Sequence, residues 1–212
     1  MATVILIGFS TSGKSYYLKQ IEKNYPGQFS LIDSDEFISA NYDGHIYNIF
    51  LTLGRQKAIE EIERRETEFI QMLPDIKEDL LIAAGPFIVI RDGWDEFVRE
   101  NNPYIIFLDR KAETVYESLN VRRLKQKQEL DIQNPNFGSW DLDVLVNFEN
   151  GKYLDLPKEK VVEKIQTHIN NLLPIYRYYG NYVFDSDNLR TDQNQSEGLL
   201  SLILLNLKKN CC

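Results

Sequence analysis

The chain has 212 residues, of which 43% are hydrophobic and 26% charged, and its formal net charge is −8. That length buries one substantial core, the ordinary apolar share excludes a disordered chain, and the acidic balance argues against broad nucleic-acid binding, which needs a basic face. No run reaches the ~18 apolar residues of a membrane span, and the N-terminus lacks a charged-then-apolar leader, so a cytoplasmic protein without membrane or nucleic-acid partners is expected.

Residues 3–7 are a short apolar run that reads as a buried strand. Directly after it comes Gly8-Phe9-Ser10-Thr11-Ser12-Gly13-Lys14-Ser15, which satisfies the phosphate-binding pattern G-x-x-x-x-G-K-[ST]. A helix is predicted over 15–23. Backbone N–H groups in such a turn, together with the helix dipole, favour an anion. Gly8, Ser10, Thr11, Ser12, Gly13, Lys14, Ser15 and Tyr16 are therefore the candidate nucleotide-binding residues. Lys14 would reach the outer phosphates, and Ser15 would ligate a metal ion.

A second strand is predicted over 29–32 and ends at Asp33-Ser34-Asp35. Carboxylates at i and i+2 point the same way while the chain stays extended. One could hold hydrated Mg²⁺ and the other accept a hydroxyl proton; alternatively, one of them only caps the next helix. They would lie beside the phosphate loop if this strand sits near the first. Helices follow over 36–40, 46–51 and 55–73. Arg64 and Arg65 sit among glutamates at helical spacing, as surface ion pairs do.

The third strand, 80–84, ends at Gly85-Pro86, where a glycine allows close approach to a ligand or simply makes a turn. A helix over 94–100, a strand over 104–108 and a long helix over 112–129 come next. Arg122 and Arg123 on that helix are candidate lid cations for a transferring phosphoryl group, or part of a solvated basic face with Lys125 and Lys127. Residues 131–152 are polar and contain Pro135, Gly138, Trp140 and Gly151, and they read as a long excursion from the core. Trp140 could stack on a purine or pack ordinarily. A helix over 158–172, a strand over 182–184 and a helix over 196–207 close the pattern. His45 and His168 have no metal-ligand neighbours in sequence. Cys211 and Cys212 end the chain, as a frayed tail or as lipid attachment sites.

Strands alternating with helices predict an α/β three-layer fold: a central five-stranded parallel sheet flanked by helices. Ligands in such sheets bind at the carboxyl ends of the strands, where the phosphate loop lies. A single domain over 1–212 is expected, with a helical or loop lid at about 120–156.

With these pieces in place, the chain resembles the shikimate kinase family of P-loop kinases. The resemblance is carried by Gly8 to Ser15, by Asp33-Ser34-Asp35 where that family has D-[ST]-D, and by Gly44-His45-Ile46-Tyr47-Asn48-Ile49-Phe50 followed by Gly54. Ala83-Ala84-Gly85 falls where the family has three glycines, and Pro174-Ile175-Tyr176-Arg177 resembles its late R-x-P-x-Y segment. The resemblance implies transfer of the ATP γ-phosphate to a hydroxyl of a small polyol-like acid. Lys14, Asp35 and Arg123 would be catalytic, with Arg122 toward the nucleotide. Ser15 and Asp33 would hold Mg²⁺, and Asp35, Gly85 and Arg64 would meet the acceptor.

The departures fall on the acceptor side. The family's two carboxylate-binding arginines correspond here to Ile59 and Leu172, and neither can make a charge-assisted bond. Arg55, Arg64 or Arg65 could compensate only from another turn. The expectation is an ATP- and Mg²⁺-dependent kinase, monomeric or homodimeric, whose small-molecule hydroxyl acceptor is not shikimate. The alternatives are a non-catalytic nucleotide-binding regulatory protein and a nucleoside or nucleotide kinase.

Overall fold

A computed structural model of the chain describes residues 2–129, 148–149, 152–153, 156–189 and 192–208. It divides into two compact units, Met1–Asp109 with Ile175–Cys212, and Arg110–Pro174.

The first unit is built on five strands: β1 (Thr3–Ile7), β2 (Ser30–Asp33), β3 (Leu80–Ala83), β4 (Tyr104–Asp109) and, numbered after a hairpin in the other unit, β7 (Tyr182–Asp185). They pair in the order β2-β3-β1-β4-β7, and every pairing is parallel. β1, β3 and β4 are apolar at nearly every position because both faces are covered. Edge strands β2 and β7 differ: β2 is half-buried throughout, and Tyr182 and Val183 on β7 are exposed.

The helices of this unit are α1 (Lys14–Asn24), α2 (Ser34–Ser39), α3 (Ile46–Leu53), α4 (Arg55–Met72), α5 (Trp94–Asn101) and α8 (Gln193–Leu207). One sheet face, carrying Val4, Leu6, Leu81, Ala83, Ile106 and Leu108, packs with Tyr17, Leu18 and Ile21 of α1 and Leu199, Ile203 and Leu207 of α8. Strand alternation turns Ile5, Ile7, Ile82, Ile105 and Phe107 to the opposite face, where all are buried. Phe107 meets the Tyr176 ring there at 5.1 Å. The three-layer arrangement expected from the sequence is thus the observed one.

The second unit holds α6 (Ala112–Glu129), a two-stranded antiparallel hairpin of β5 (Phe148–Glu149) and β6 (Lys152–Tyr153), and the first part of α7 (Lys158–Tyr179). Lys158 pairs with Glu117 and lies 5.2 Å from the Tyr116 ring. Most of the 131–152 excursion, including Trp140, lies outside the described residues, as do Cys211 and Cys212.

Two local differences from the sequence expectation have simple causes. The helix predicted to stop at Leu172 continues through Pro174 to Tyr179. Proline removes its own N–H and its ring crowds the carbonyl four residues back, and packing of the apolar face outweighs both costs. The second helix starts two residues early because Asp33 caps it, its carboxylate accepting from Asp35 N at 2.9 Å.

Candidate active site

Chain geometry at the end of β1 is imposed by Gly8, whose φ is +146°. A Cβ there would lie 2.6 Å from the Leu108 carbonyl oxygen and 3.0 Å from Ser12 Oγ, so only glycine lets the loop leave the sheet beside β4. Thr11 takes a positive φ of 66°, and Gly13 (φ +105°) starts α1 without any side-chain cap. No side chain caps the start of α1, the arrangement that suits an anion at a helix N-terminus. Lys14, the first helical residue, is buried, and its Nζ donates to Gly8 O at 2.8 Å, Phe9 O at 3.0 Å and Ser12 Oγ at 3.4 Å. These bonds hold the ammonium inside the curve of the loop. Ser10 and Ser12 are buried, whereas Ser15 and Tyr16 are exposed. Leu189, after β7, packs against the far side: a Cβ on Gly13 would touch its Cδ1 at 3.8 Å.

Asp33, Ser34 and Asp35 are not next to β1. β3 lies between, with Asp33 in register with Ala83 and Ala83 with Leu6. Two strand spacings place the aspartates roughly 10 Å across the sheet from the phosphate loop. They occupy the same carboxyl edge, because Ser34 Oγ accepts from Gly85 N at 2.7 Å and ties the end of β2 to the end of β3. A Cβ on Gly85 would sit 3.1 Å from Asp35 Oδ1 and 3.3 Å from Ser34 Oγ. Gly85 thus leaves room for the side chains of Ser34 and of the exposed Asp35. Asp33 both ends β2 and caps α2.

Sequence inspection missed Glu66 and Arg91. Glu66 is 3% exposed, and its Oε2 accepts from Arg91 Nε; Arg91 Nη1 also meets Glu63 Oε1 at 3.1 Å. Glu66 Oε1 lies 3.8 Å from the Gly85 Cβ point. Burial pushes the Glu66 carboxyl up to about 7 against the pull of Arg91, and the nearby Asp35 charge adds to the rise. The signal was present in the sequence: Glu66 continues the buried stripe of Ala58, Phe69 and Ile70 on α4, where an acid needs a partner. Behind it, buried Tyr176 donates from its hydroxyl to Pro86 O at 2.7 Å; burial and the Glu66 charge push its phenol up.

The arginines separate. Arg64 lies on the exposed side of α4, paired with Glu61 at 2.8 Å and with Glu68. Arg65, expected on the surface, is instead largely buried, 4.8 Å over the Phe37 ring and bonded to Phe37 O at 2.9 Å, so it fastens α2 to α4. Ile59 is half-buried, and Leu172 is buried in the second unit. Arg122 is exposed on α6 in the second unit; Arg123 follows it, with a side chain outside the described residues. Among the described residues, no three His, Cys, Asp or Glu side chains group as a metal centre. A hard divalent ion here would draw most of its ligands from phosphate and water.

A family model for shikimate kinase matches residues 11–137, more than half of the chain. No curated protein matches it significantly. Among solved structures, the shikimate kinase of Bacteroides thetaiotaomicron superposes with a TM-score of 0.63 at 17% identity, covering 97% of each chain. The enzyme of Acinetobacter baumannii in complex with shikimate gives 0.61 at 18%, covering 99% of this chain and 94% of that one. The enzyme of Aquifex aeolicus gives 0.53 at 16%, covering 99% and 98%. At these identities the likeness is one of fold, and the family match carries the assignment: the chain is a divergent member of the shikimate kinase family.

Proposed function

We propose that this family member is an ATP-dependent kinase that transfers the γ-phosphate to a hydroxyl of a small polyol-like acceptor other than shikimate. The observation that carries this is the pairing of two features on one sheet edge. A buried lysine sits inside an uncapped helix-terminal loop, and an exposed aspartate stands across β3 beside Gly85.

The donor set fits a polyphosphate. Gly8 and Gly13 bring no Cβ to the two ends of the loop, and the N–H groups opening α1 would face the anion. Lys14, held by carbonyls it can exchange for phosphate oxygens, would neutralise charge on the outer phosphates. Ser15 and, through water, Asp33 would hold Mg²⁺, which supplies charge neutralisation at the transferring group. Asp35 would take the acceptor hydroxyl by hydrogen bond and accept its proton as the oxygen attacks. Ser34 and the Asp33 cap fix the turn that presents Asp35. Ile59 and Leu172 provide no guanidinium for an acceptor carboxylate, which argues against shikimate.

The test is ATP turnover over a panel of polyol acids, cyclitols, sugars and nucleosides. Lys14→Ala should lower turnover by at least about 100-fold, and Asp35→Asn should bind nucleotide normally yet transfer nothing. Unchanged turnover in Lys14→Ala, or efficient phosphorylation of shikimate, would overturn the assignment.

A further inference from the structure

Glu66 and Asp35 come from different elements, α4 and α2, and converge on one glycine. Asp35 Oδ1 lies 3.1 Å and Glu66 Oε1 lies 3.8 Å from the point that a Cβ on Gly85 would occupy. Glu66 is 3% exposed, so its carboxylate has a fixed direction. Its two oxygens have different surroundings. Oε2 is taken by Arg91 Nε, whereas Oε1, on the Gly85 side, accepts no hydrogen bond among the described residues. Oε1 is not sealed from solvent, and an acceptor oxygen left open on one side can take a donor from a ligand.

We propose that Asp35 and Glu66 form a two-carboxylate clamp for hydroxyls of the phosphate acceptor, and that Glu66 is the residue selecting neutral polyols over carboxylate-bearing ones. The inference rests on the kinase function proposed above. Carboxylate oxygens accept from hydroxyls at two points and so orient a polyol with one hydroxyl on Asp35. An acceptor carboxylate has no proton to offer Oε1 and would add a further negative charge to the site. Arg91 does not offset it, because Glu66 and Glu63 already engage its guanidinium. Ile59, about two helical turns before Glu66 on the same helix, brings no charge. Arg65 is committed to Phe37 O and Glu68. Gly85 supplies the gap between the two carboxylates.

The test compares neutral and anionic forms of one ring. Shikimate, its primary amide and myo-inositol are assayed as acceptors at about pH 8, and their binding is measured by calorimetry with ADP present. In the wild-type protein, at least one neutral compound should bind and react about tenfold or more better than shikimate. Glu66→Gln keeps the size of the side chain and an acceptor for Arg91 Nε. It should shrink the amide-to-shikimate ratio at least about threefold through KM, whereas a purely structural role would lower all acceptors equally. Shikimate binding as well as its amide in the wild type, or a ratio unchanged in Glu66→Gln, overturns the clamp. Phosphate transfer that prefers shikimate would overturn both the clamp and the choice of an acceptor other than shikimate, while leaving ATP-dependent phosphate transfer itself intact. Binding of the neutral compounds without any transfer would sustain the clamp and overturn the kinase function. Binding of none of the three overturns both.

Discussion

Replacing Glu66 by glutamine should flatten part of the pH dependence of folding. The Glu66 carboxyl titrates at 4.5 in an unfolded chain and at about 7 in the folded one, chiefly because burial penalises its charged form. Between those values the folded protein keeps a proton that the unfolded chain has released. The group's stabilising effect is therefore full below the unfolded value and is lost as pH rises through the folded one. At ~1.4 kcal/mol per pH unit across that window, the loss comes to ~3 kcal/mol. Arg91 works against this by favouring the charged form, and its pull is already included in the folded value. Glutamine mimics the protonated acid in shape and has nothing to titrate. Urea unfolding of wild type and Glu66→Gln at about pH 5 and about pH 8 isolates the effect, because other titrating groups cancel in the difference. Wild type should lose ~2.5 kcal/mol relative to the variant over that range, a midpoint shift of roughly 1–2 M urea. A difference constant to within ~0.5 kcal/mol would show that Glu66 is ionised throughout and would refute the burial argument.

Gly8→Ala should cost about 2–4 kcal/mol and weaken nucleotide binding, because its Cβ would meet the Leu108 carbonyl oxygen at 2.6 Å in a positive-φ conformation. A loss under ~0.5 kcal/mol by urea unfolding would mean that the loop exit adjusts freely. Asp33→Ala should cost ~1 kcal/mol through the lost α2 cap, while Asp33→Asn keeps the cap and raises the Mg²⁺ concentration needed for half-maximal ATP turnover. An Asn variant with unchanged Mg²⁺ dependence would confine Asp33 to capping. Tyr176→Phe leaves the Pro86 carbonyl without its donor and should lower stability by about 1–2 kcal/mol, with nucleotide affinity unchanged. No loss of stability would show that water replaces the phenol.

Donor-side features were legible in the sequence because they are local. Gly8 to Ser15 sit in one stretch, and the strand before and the helix after them follow from apolar spacing. The five strands, their neighbouring helices and the family resemblance came from the same kind of short-range pattern. Asp33 and Asp35 were recognisable as site candidates, and capping by Asp33 was one of two open alternatives.

What the sequence did not determine depends on pairings between distant residues. Strand order places β3 between β1 and β2, so the aspartates stand across the sheet edge from the phosphate loop rather than beside it. Glu66 and Arg91 looked like two more charges in a charged chain. Only packing of α4 turned one inward and brought the loop after β3 to meet it. Arg65 was drawn inside by the Phe37 ring and carbonyl, while adjacent Arg64, about 100° around the helix, stayed in water. Local chemistry thus specifies the nucleotide side of this protein. The proposed acceptor side depends on tertiary structure, because only burial and packing bring the Asp35 and Glu66 carboxylates together at Gly85.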